Sequence, residues 1–512
     1  MNGNRDLRAD LLERMEKARR GGAQKYHERH ARRGKLFVRK RLELLLDPGS
    51  FVEDGLLART LDEGLPADAV VTGLGTIGGR PVALMANDMT VKAGAWGRTT
   101  VRKIIRIQEE AAESRVPLLY LVDSAGARLD EQFDMFIDRS HSGQIFFNQA
   151  RLSGVIPQVC IMFGPSPAGS AYIPSFCDVV IMVDKNTSAF LGSPRMAEMA
   201  TGEKTTEEEM GGARMHCTTS GLGDVLAESE EEAIEAAKRF LEVLPSYYEE
   251  PPPAASPRDP EPDLDIESIV PQDQNKPFDI TVFIRALVDE GSWLEFRELF
   301  ARELLTGFAR LDGRQIGIVA NQSKRKGGIL FSDSSDKGAH FVSLCNAYGI
   351  PLLFLSDVSG YMIGAKVEQT GIIRHGAKLL HAIANATVPR ISVIVRKSYG
   401  AGYMAMSGAS FHPDATLALP TAKLAIMGPE AAINAIYFNK ISEMDEEERV
   451  RFVKEKRDEY AQNLDPMRAA SEFMLDAVVP ASDLREELIG RFRHYSRKKH
   501  KPIARRNVVI RG

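Results

Sequence analysis

The chain contains 512 residues, of which 44% are hydrophobic and 27% charged, and its formal net charge is −4. This length exceeds what one hydrophobic core normally supports and suits two domains of about 200 to 250 residues. A small negative net charge gives no general attraction to nucleic acid or to an anionic membrane, so neither is an expected partner.

The four cysteines, at positions 160, 177, 217 and 345, are scattered and form no CxxC pair. This spacing argues against a zinc site and against a disulfide framework, and it fits a reducing compartment. The sequence has no run of about 18 uncharged apolar residues, and it begins with a polar segment rather than a signal peptide. We therefore expect a soluble, cytoplasmic protein without membrane insertion.

The N-terminal segment has apolar residues at helical spacing between Leu7 and Ala18, which predicts a helix. It is also basic, with Arg or Lys at positions 19, 20, 32, 33 and 39–41. Two interpretations stay open for this charge: a site for an anionic ligand, and a solvated helical arm.

From residue 69 onwards, short apolar runs alternate with helical stretches. Residues 70–71 and 82–85 predict a pair of strands around Gly78 and Gly79, followed by a helix over 98–114 and a buried strand over 117–122. Residues 73–78 also match the GxGxxG pattern of dinucleotide-binding proteins. That pattern needs a helix directly after it, whereas a strand-like segment follows here, so we interpret it as a β-hairpin.

The two halves of the chain repeat each other in order. Thr72 is matched by Thr306 and the apolar run at 117–121 by the run at 351–355, both 234 positions later. Residues 157–170 and 389–402 match at an offset of 232, and residues 178–192 and 414–428 match at 236, each followed closely by a proline, Pro194 or Pro429. Such constant register indicates a tandem duplication of one α/β unit, with function in paired, related sites.

Within the repeat, Asp123 and Asp357 follow the matching apolar runs, which predicts a turn or cap role for both. A proline-rich stretch over residues 251–270 cannot form a helix interior or a central strand and is interpreted as a linker. The predicted domains are therefore residues 1–250 and 271–512, and a helix over 280–287 begins the second.

Two buried strands end in loops of small residues, at positions 159–170 and 391–402. Small residues let main-chain N–H groups approach a ligand closely, and a following helix would direct its positive end at the same place. Two such N–H groups about 3 Å from a carbonyl oxygen form an oxyanion hole. Tight packing between a helix and a strand is the alternative interpretation of each loop.

At these loops a family resemblance becomes clear. The chain resembles biotin-dependent carboxyltransferases, the β-subunit type of propionyl-CoA and methylcrotonyl-CoA carboxylases. The matching segments are residues 34–53, the DSAGAR motif at 123–128, and residues 201–203, 211–213, 220–221, 371–380 and 396–402.

The resemblance implies an α/β fold with two tandem crotonase-like domains built from ββα superhelical units. It implies that the N–H groups of Ala168 and Gly169 hold the thioester oxygen of an acyl-CoA. Those of Ala401 and Gly402 would hold the ureido oxygen of biotin. Further implied substrate-binding residues are Gly126, Ala127, Arg128, Tyr403 and Met404, and no metal is expected.

The implied chemistry explains the duplication, because two developing oxyanions require two similar holes. It needs no side-chain general base, and no Ser/His/Asp arrangement is evident. Two departures from the family pattern concern the substrate. Ala168 stands where the family more often has glycine, and Met404 stands at a position that helps to set acyl-chain choice. The loop at 399–402 is more similar to methylcrotonyl-type enzymes than to propionyl-type enzymes.

No biotin-attachment lysine follows residues 404–406, and no ATP-binding loop is visible. The resemblance therefore implies a separate biotin carboxylase and biotin carrier, and assembly of this chain as a homohexamer, a trimer of dimers. The expected reaction carboxylates the α-carbon or vinylogous carbon of a short-chain acyl-CoA, with propionyl-CoA giving methylmalonyl-CoA first among the candidates. Alternatives are the α subunit of a sodium-pumping methylmalonyl- or glutaconyl-CoA decarboxylase, a transcarboxylase, and a non-catalytic scaffold.

Overall fold

The computed structural model describes residues 6–62, 64–462 and 464–498, together with residues 504 and 509. The chain divides into two compact units, the first ending at Pro251 and the second beginning at Pro252. The division falls at the start of the proline-rich stretch. Each unit contains one large mixed sheet with helices packed around it.

The first unit contains nine strands. They are β1 (Val52–Asp54), β2 (Val70–Ile77), β3 (Arg80–Asn87), β4 (Leu118–Val122), β5 (Gln158–Met162), β6 (Pro165–Pro167), β7 (Val179–Val183), β8 (Ser188–Phe190) and β9 (Val225–Ala227). Seven form a sheet in the order β1-β2-β3-β4-β5-β7-β9, while β6 and β8 form a separate parallel pair. The first three strands of the sheet are antiparallel and the others parallel.

The helices of the first unit include three at its N-terminal end. The α-helices are α1 (Leu7–Arg20), α2 (Gln24–Ala31), α3 (Val38–Leu45), α4 (Arg98–Ser114), α5 (Gln132–Met135), α6 (Ser142–Leu152), α7 (Tyr172–Ser175), α8 (Pro194–Thr201), α9 (Glu207–Gly211), α10 (Ala213–Met215) and α11 (Glu230–Val243). The predicted helix over 98–114 is thus confirmed.

The second unit repeats this order of strands. They are β10 (Leu294–Phe296), β11 (Leu304–Leu311), β12 (Arg314–Asn321), β13 (Leu352–Val358), β14 (Arg390–Tyr399), β15 (Ala415–Ala418), β16 (Lys423–Ala425) and β17 (Ala477–Val478). The sheet order is β10-β11-β12-β13-β14-β15-β17, with β16 paired to the end of β14. The duplication predicted from sequence is therefore also present in the topology.

The helices of the second unit include the predicted one over 280–287. They are α12 (Ile266–Ile269), α13 (Ile280–Leu287), α14 (Ser332–Ala347), α15 (Ala365–Gln369), α16 (Ile372–Asn385), α17 (Gly400–Ala405), α18 (Pro429–Glu443), α19 (Glu446–Gln462), α20 (Pro466–Ser471) and α21 (Ala481–Tyr495). Helix α14 begins 234 positions after α4, so the repeat includes the main helix that packs on each sheet.

The hairpin interpretation of residues 73–78 is confirmed. Strands β2 and β3 are antiparallel, and the turn residues Gly78 and Gly79 have φ of +56° and +78°. In the second unit the turn is formed by Asp312 and Gly313, with φ of +54° and +73°. Two consecutive left-handed residues give the turn whose twist matches the flanking strands, which explains the glycines without a nucleotide.

The central strands are buried on both faces because helices cover them. Every residue of β4, β5 and β7 is buried, and so is every residue of β13. Such strands are continuous apolar runs, as parallel sheets require. Among the helices that the structure describes, none is long and apolar enough to cross a bilayer.

Candidate functional site

The first small-residue loop leaves the sheet after β5 and passes through β6 into a single 3-10 turn, Ala168–Ala171. Ala168 has a left-handed φ of +55°, and both Ala168 and Gly169 are exposed. The first N–H groups of a helical turn have no acceptor within it. Within the described part of the chain, no hydrogen bond uses the N–H of Ala168 or Gly169, so both can receive an acceptor from outside.

The second loop continues β14 directly into α17. Gly400 is left-handed, with φ of +53°, while Ala401 is exposed and Gly402 buried. The N–H groups of all three residues belong to the first turn of α17 and lack acceptors inside that helix. This loop therefore presents the same kind of donors as the first.

The backbone relates the two loops residue by residue. Ala168 and Gly400 are 232 positions apart, and both are left-handed. Gly169 then corresponds to Ala401. The sequence-predicted pair Ala401 and Gly402 therefore begins one residue later than the structural equivalent of Ala168 and Gly169.

The helices that follow the loops are shorter than the sequence pattern suggested. The first loop leads into a 3-10 turn and the four-residue α7, and the second into the six-residue α17. A macrodipole develops fully only along a longer helix. The main-chain N–H groups themselves, rather than a helix dipole, are thus the main electrostatic feature of both loops.

The DSAGAR motif lies against the first loop. Gly126 has φ of +94°, and a Cβ at this position would lie 3.4 Å from Cγ of Pro167. The N–H of Ser124 donates to the carbonyl oxygen of Pro165 at 2.9 Å. The structure therefore brings Gly126 and Ala127 beside the residue that precedes Ala168.

The equivalent loop of the second unit packs even more closely. A Cβ on Gly402 would lie 2.9 Å from Cα of Gly360 and 3.0 Å from both methyl groups of Val358. By contrast, a Cβ on Gly169 would meet only Cζ of Phe146, at 4.0 Å. Glycine is thus required by close packing at 402 but not at 169.

Arg128 is buried rather than displayed on the surface. One nitrogen, Nη1, donates to Asp68 at 2.6 Å and to Glu131 at 3.2 Å, and 5% of the side chain is exposed. Its Nε and Nη2 atoms are buried and have no hydrogen-bond partner among the described residues. Arg128 is therefore firmly oriented, and two of its nitrogen atoms have no acceptor among the residues that the structure describes.

Tyr403 and Met404 have different environments. The Tyr403 hydroxyl accepts the N–H of Ala409 at 2.8 Å, and burial raises the pKa of this phenol. Its ring lies against Gly408, where a Cβ would come within 2.6 Å. Tyr403 therefore shapes the loop, whereas Met404 is 41% exposed and free to contact a bound molecule.

The prediction that Asp123 is a turn or cap residue is wrong. Its carboxylate is fully buried and accepts from Nζ of Lys35 at 2.8 and 2.9 Å and from Nη1 of Arg41 at 3.1 Å. Arg41 also donates twice to Glu230, at 2.7 Å each. A Cβ on Gly164 would lie 1.8 Å from this carboxylate, so the start of the first loop packs directly on the ion-pair network.

Asp357 is likewise the centre of a buried ion pair and not a cap. It accepts from Nε and Nη2 of Arg396 at 3.2 and 2.8 Å and from the N–H of Lys397 at 3.2 Å. The N–H of Asp357 donates to Asn321, as that of Asp123 donates to Asn87. Equivalent asparagines thus accept the main-chain N–H groups of the two aspartates, whereas the two carboxylates are held by cations from different parts of the chain.

A cavity of about 850 Å³ lies among the N-terminal helices. Its basic and acidic lining residues are Lys17, Arg20, Arg29, His30, Arg33, Lys35, Asp62 and Lys92. Burial, above all, lowers the pKa of His30 to about 4, so this ring is neutral near pH 7. The carbonyl of Ala93, at the cavity edge, accepts the N–H of Ala125 at 2.9 Å, which joins the cavity to the DSAGAR motif.

The two loops could be predicted from the sequence, but the buried ion pairs of Asp123 and Asp357 that hold them could not. The paired positions of Asp123 and Asp357 were the available signal, since a buried strand that ends in a carboxylate needs a cation. Among the described residues, no group of three or more His, Cys, Asp or Glu side chains is arranged to hold a metal ion.

Comparisons with known proteins agree on one family. The carboxyl transferase domain matches residues 29–510. An uncharacterized carboxylase of Bacillus subtilis, YngE, is 56% identical over 494 residues, 96% of this chain and 97% of the relative. The mitochondrial methylcrotonoyl-CoA carboxylase beta chain of Dictyostelium discoideum is 42% identical, covering 85% of this chain and 74% of its own length.

The chain belongs to the carboxyl transferase family. The crystal structure of transcarboxylase 12S, a hexamer with methylmalonyl-coenzyme A and methylmalonic acid bound, superimposes with a TM-score of 0.93 at 36% identity. The match covers 100% of this chain and 99% of that one. The crotonase-like fold expected from the resemblance is thereby confirmed, and the chain is a carboxyltransferase of the biotin-dependent acyl-CoA carboxylase family.

Ala168 and Gly400 are both left-handed, so exchanging alanine and glycine at these two positions of the carboxyltransferase should change its stability in opposite directions. We expect Ala168→Gly to raise the free energy of unfolding by about 0.5–1 kcal/mol, because relief of the left-handed conformation exceeds the entropy cost of glycine. We expect Gly400→Ala to lower it by about 1–2 kcal/mol, since the new Cβ would lie 3.0 Å from the carbonyl oxygen of Ile426. Thermal denaturation monitored by circular dichroism checks both variants. Melting temperatures that shift in the same direction would contradict a left-handed residue at both positions.

The buried Asp357–Arg396 pair predicts a second stability effect. Asp357→Asn should lower the free energy of unfolding by about 3–5 kcal/mol, because it leaves the buried guanidinium without a counter-charge. The double variant Asp357→Asn with Arg396→Met should recover part of this loss. Lys456→Met, which breaks an exposed pair with Glu459, serves as control and should change stability by less than about 0.5 kcal/mol. If the double variant is less stable than Asp357→Asn alone, Asp357 is not the counter-charge of Arg396.

Proposed function

We propose that this carboxyltransferase moves the carboxyl group of carboxybiotin, held on a separate carrier protein, to the α-carbon of a short-chain acyl-CoA. Propionyl-CoA, giving methylmalonyl-CoA, is the first candidate substrate. The observation that supports this proposal most directly is the pair of loops in which a left-handed residue, Ala168 or Gly400, precedes an exposed residue, Gly169 or Ala401, in the first turn of a helix. One loop lies in each crotonase-like unit, as a reaction with two carbonyl oxygens requires.

In the proposed acyl-CoA site, the N–H groups of Ala168 and Gly169 bind the thioester oxygen. Negative charge develops on this oxygen when the α-proton leaves. Fixed donors stabilise it without reorganisation, and loss of one such donor typically costs about 2.7–4 kcal/mol. The left-handed conformation of Ala168 directs the two successive N–H groups toward the same side of the loop.

In the proposed biotin site, main-chain N–H groups at the start of α17 bind the ureido oxygen. Ala401 belongs both to the pair predicted from sequence, Ala401 and Gly402, and to the pair that the backbone matches to Ala168 and Gly169, which is Gly400 and Ala401. Biotin, when present, supplies the carboxyl group and a base for the α-proton. The donor set fits this acceptor, because the loop offers only main-chain N–H groups and its close packing against Gly360 leaves little freedom to move. Exclusion of water at both loops would protect the anionic species from protonation.

The buried carboxylates are poor candidates for a general base. Asp123 is engaged by Lys35 and Arg41, and Asp357 by Arg396 and Lys397. Both side chains are fully buried, and their oxygen atoms already accept hydrogen bonds from these cations, so neither carboxylate can reach a substrate proton. This supports a mechanism in which the protein supplies electrostatic stabilisation and not proton abstraction by a side chain.

The basic cavity suits the phosphates of coenzyme A. It combines six Lys or Arg side chains with a single carboxylate, that of Asp62, among its lining residues in the described chain. It adjoins Ala125 of the DSAGAR motif, which lies beside the proposed thioester site. We infer that the N-terminal basic residues bind the anionic end of the acyl-CoA, the first of the two interpretations of that segment.

Methylcrotonyl-CoA is a second candidate substrate. The relative from Dictyostelium discoideum carries that activity in its name, and residues 399–402 follow the methylcrotonyl pattern. Met404 is exposed next to the biotin loop and is flexible enough to accommodate several acyl chains. The likeness to transcarboxylase 12S also keeps a transcarboxylase or decarboxylase as an alternative, since these enzymes share the same half-reaction.

The partners follow from the same proposal. A biotin carboxylase and a biotin carrier on other polypeptides would supply the carboxylated biotin. Transcarboxylase 12S is described as a hexamer, and we propose a homohexamer, arranged as a trimer of dimers, for this chain. The proposed domains are residues 1–250 on the acyl-CoA side and 271–512 on the biotin side.

The purified chain, mixed with carboxylase and carboxylated carrier, should carboxylate propionyl-CoA with a higher kcat/KM than acetyl-CoA or butyryl-CoA. Methylcrotonyl-CoA completes the panel as the competing substrate. Incorporation of labelled bicarbonate into each acyl-CoA measures the rates. Transfer to none of the four by a correctly assembled chain would refute the proposed function, and a preference for methylcrotonyl-CoA would replace the first candidate with the second.

Gly402→Val should reduce carboxyl transfer by at least about 100-fold, because its side chain would displace the proposed biotin loop from Gly360. Gly169→Ala is the matched control, with room for its methyl group, and we expect an effect below about fivefold. Size-exclusion chromatography should show unchanged assembly for both variants. Full activity of Gly402→Val would count against the loop assignment.

A further inference from the structure

Three consecutive residues before β2 adopt the left-handed conformation although none is glycine. Ala67, Asp68 and Ala69 have φ of +53°, +53° and +63°, and all three are buried. Each such residue costs on the order of 1–3 kcal/mol, so the turn persists only because its surroundings impose it. Concentrated strain of this kind is typical of functional sites.

Two residues of α4 impose the conformation. The buried ammonium group of Lys103 donates to the carbonyl oxygens of Ala67 and Val70, at 3.0 and 2.5 Å. Thr100 donates its hydroxyl to the carbonyl oxygen of Asp68 at 2.9 Å and its N–H to the Asp68 carboxylate at 2.8 Å. The turn is thus fixed to a rigid helix at three main-chain carbonyls and one side chain.

The strained turn directs the Asp68 carboxylate at Arg128. Its second oxygen accepts from Nη1 of Arg128 at 2.6 Å, and both side chains are almost completely buried. The main chain is fixed at the same place, because the N–H of Arg128 donates to Trp96 and the N–H of Trp96 donates to Gly126. Lys103 therefore holds the turn that contains Asp68, and the Asp68 carboxylate in turn contacts Arg128 of the DSAGAR motif.

The second unit provides an internal comparison. Lys337, 234 positions after Lys103, is buried on α14 and donates to the carbonyl oxygen of Phe300 at 2.8 Å. The next residue, Ala301, is left-handed with φ of +44°. However, Met362 stands 234 positions after Arg128. The lysine contact to a main-chain carbonyl is common to both units, but among the described residues an ion pair connects it to the loop in the first unit only.

We propose that Asp68 and Lys103 are positioning residues for the acyl-CoA half-reaction. They hold Arg128, and with it Gly126 and Ala127, in a fixed place beside the proposed thioester site. This inference rests on the function proposed above, because it assigns a role to the acyl-CoA side only. It explains why the costly turn accompanies an arginine in one unit, whereas the other unit has a methionine and a single left-handed residue.

The test uses the complete system of this chain, the carboxylase and the carboxylated carrier, with propionyl-CoA as substrate. Asp68→Asn and Lys103→Met should lower kcat/KM for the acyl-CoA by about tenfold to 100-fold, because displacement of a positioning loop by about 1 Å has effects of this size. KM for the carboxylated carrier should stay within about twofold. Lys337→Met, the matched control, should lower the melting temperature as Lys103→Met does and leave kcat/KM for the acyl-CoA within about twofold.

A double variant separates positioning from stability. Asp68→Asn with Arg128→Met also removes the buried guanidinium that has lost its Asp68 partner, and it should regain part of the thermal stability but not kcat/KM for the acyl-CoA. Equal kinetic losses in Lys103→Met and Lys337→Met, or recovery of kinetics together with stability in the double variant, would overturn the proposal. Unchanged kcat/KM in Asp68→Asn would also overturn it. Failure of the proposed function looks different, since the unsubstituted chain would then transfer no carboxyl group to any acyl-CoA.

Discussion

A carboxylate buried at the end of a central strand is the constraint on which each unit depends. Asp123 and Asp357 are fully buried, so each would oppose folding strongly without the cations around it. Lys35 and Arg41 donate to the Asp123 carboxylate, and Arg396 and the N–H of Lys397 donate to the Asp357 carboxylate. These contacts fix the start of the loops beyond the two residues. The proposed catalysis requires this rigidity, because N–H dipoles stabilise a developing charge best when they are already aligned.

The duplication conserved geometry more strictly than chemistry. The left-handed residue of each small-residue loop occupies the same place, although it is Ala168 in one unit and Gly400 in the other. The carboxylates also match, but Asp123 obtains its cations from the N-terminal helices and Asp357 from its own neighbouring strand. Backbone shape is what both half-reactions need in common, while the side chains around it differ with the two ligands.

Much of the fold could be predicted because the repeat leaves a signal in the sequence at nearly constant offset. The hairpin at Gly78 and Gly79 followed from turn chemistry, and both small-residue loops followed from their composition. The ion pairs could not be predicted, since Lys35 and Arg41 lie 88 and 82 residues from the carboxylate they neutralise. The conformation of residues 67–69 could not be predicted either, because alanine disfavours the left-handed region and only tertiary contacts impose three such residues in a row.

The network around Arg41 has a consequence for biosynthesis. Arg41 is nearly completely buried, yet Glu230, which accepts two of its hydrogen bonds, lies 189 residues further along the chain. At about 5–20 residues per second, a ribosome needs roughly 10–40 s to bridge that interval. During this delay the guanidinium group must stay hydrated, so the first unit cannot complete its interior until translation has passed its last strand. The second unit, whose arginine and aspartate are only 39 positions apart, faces no comparable wait.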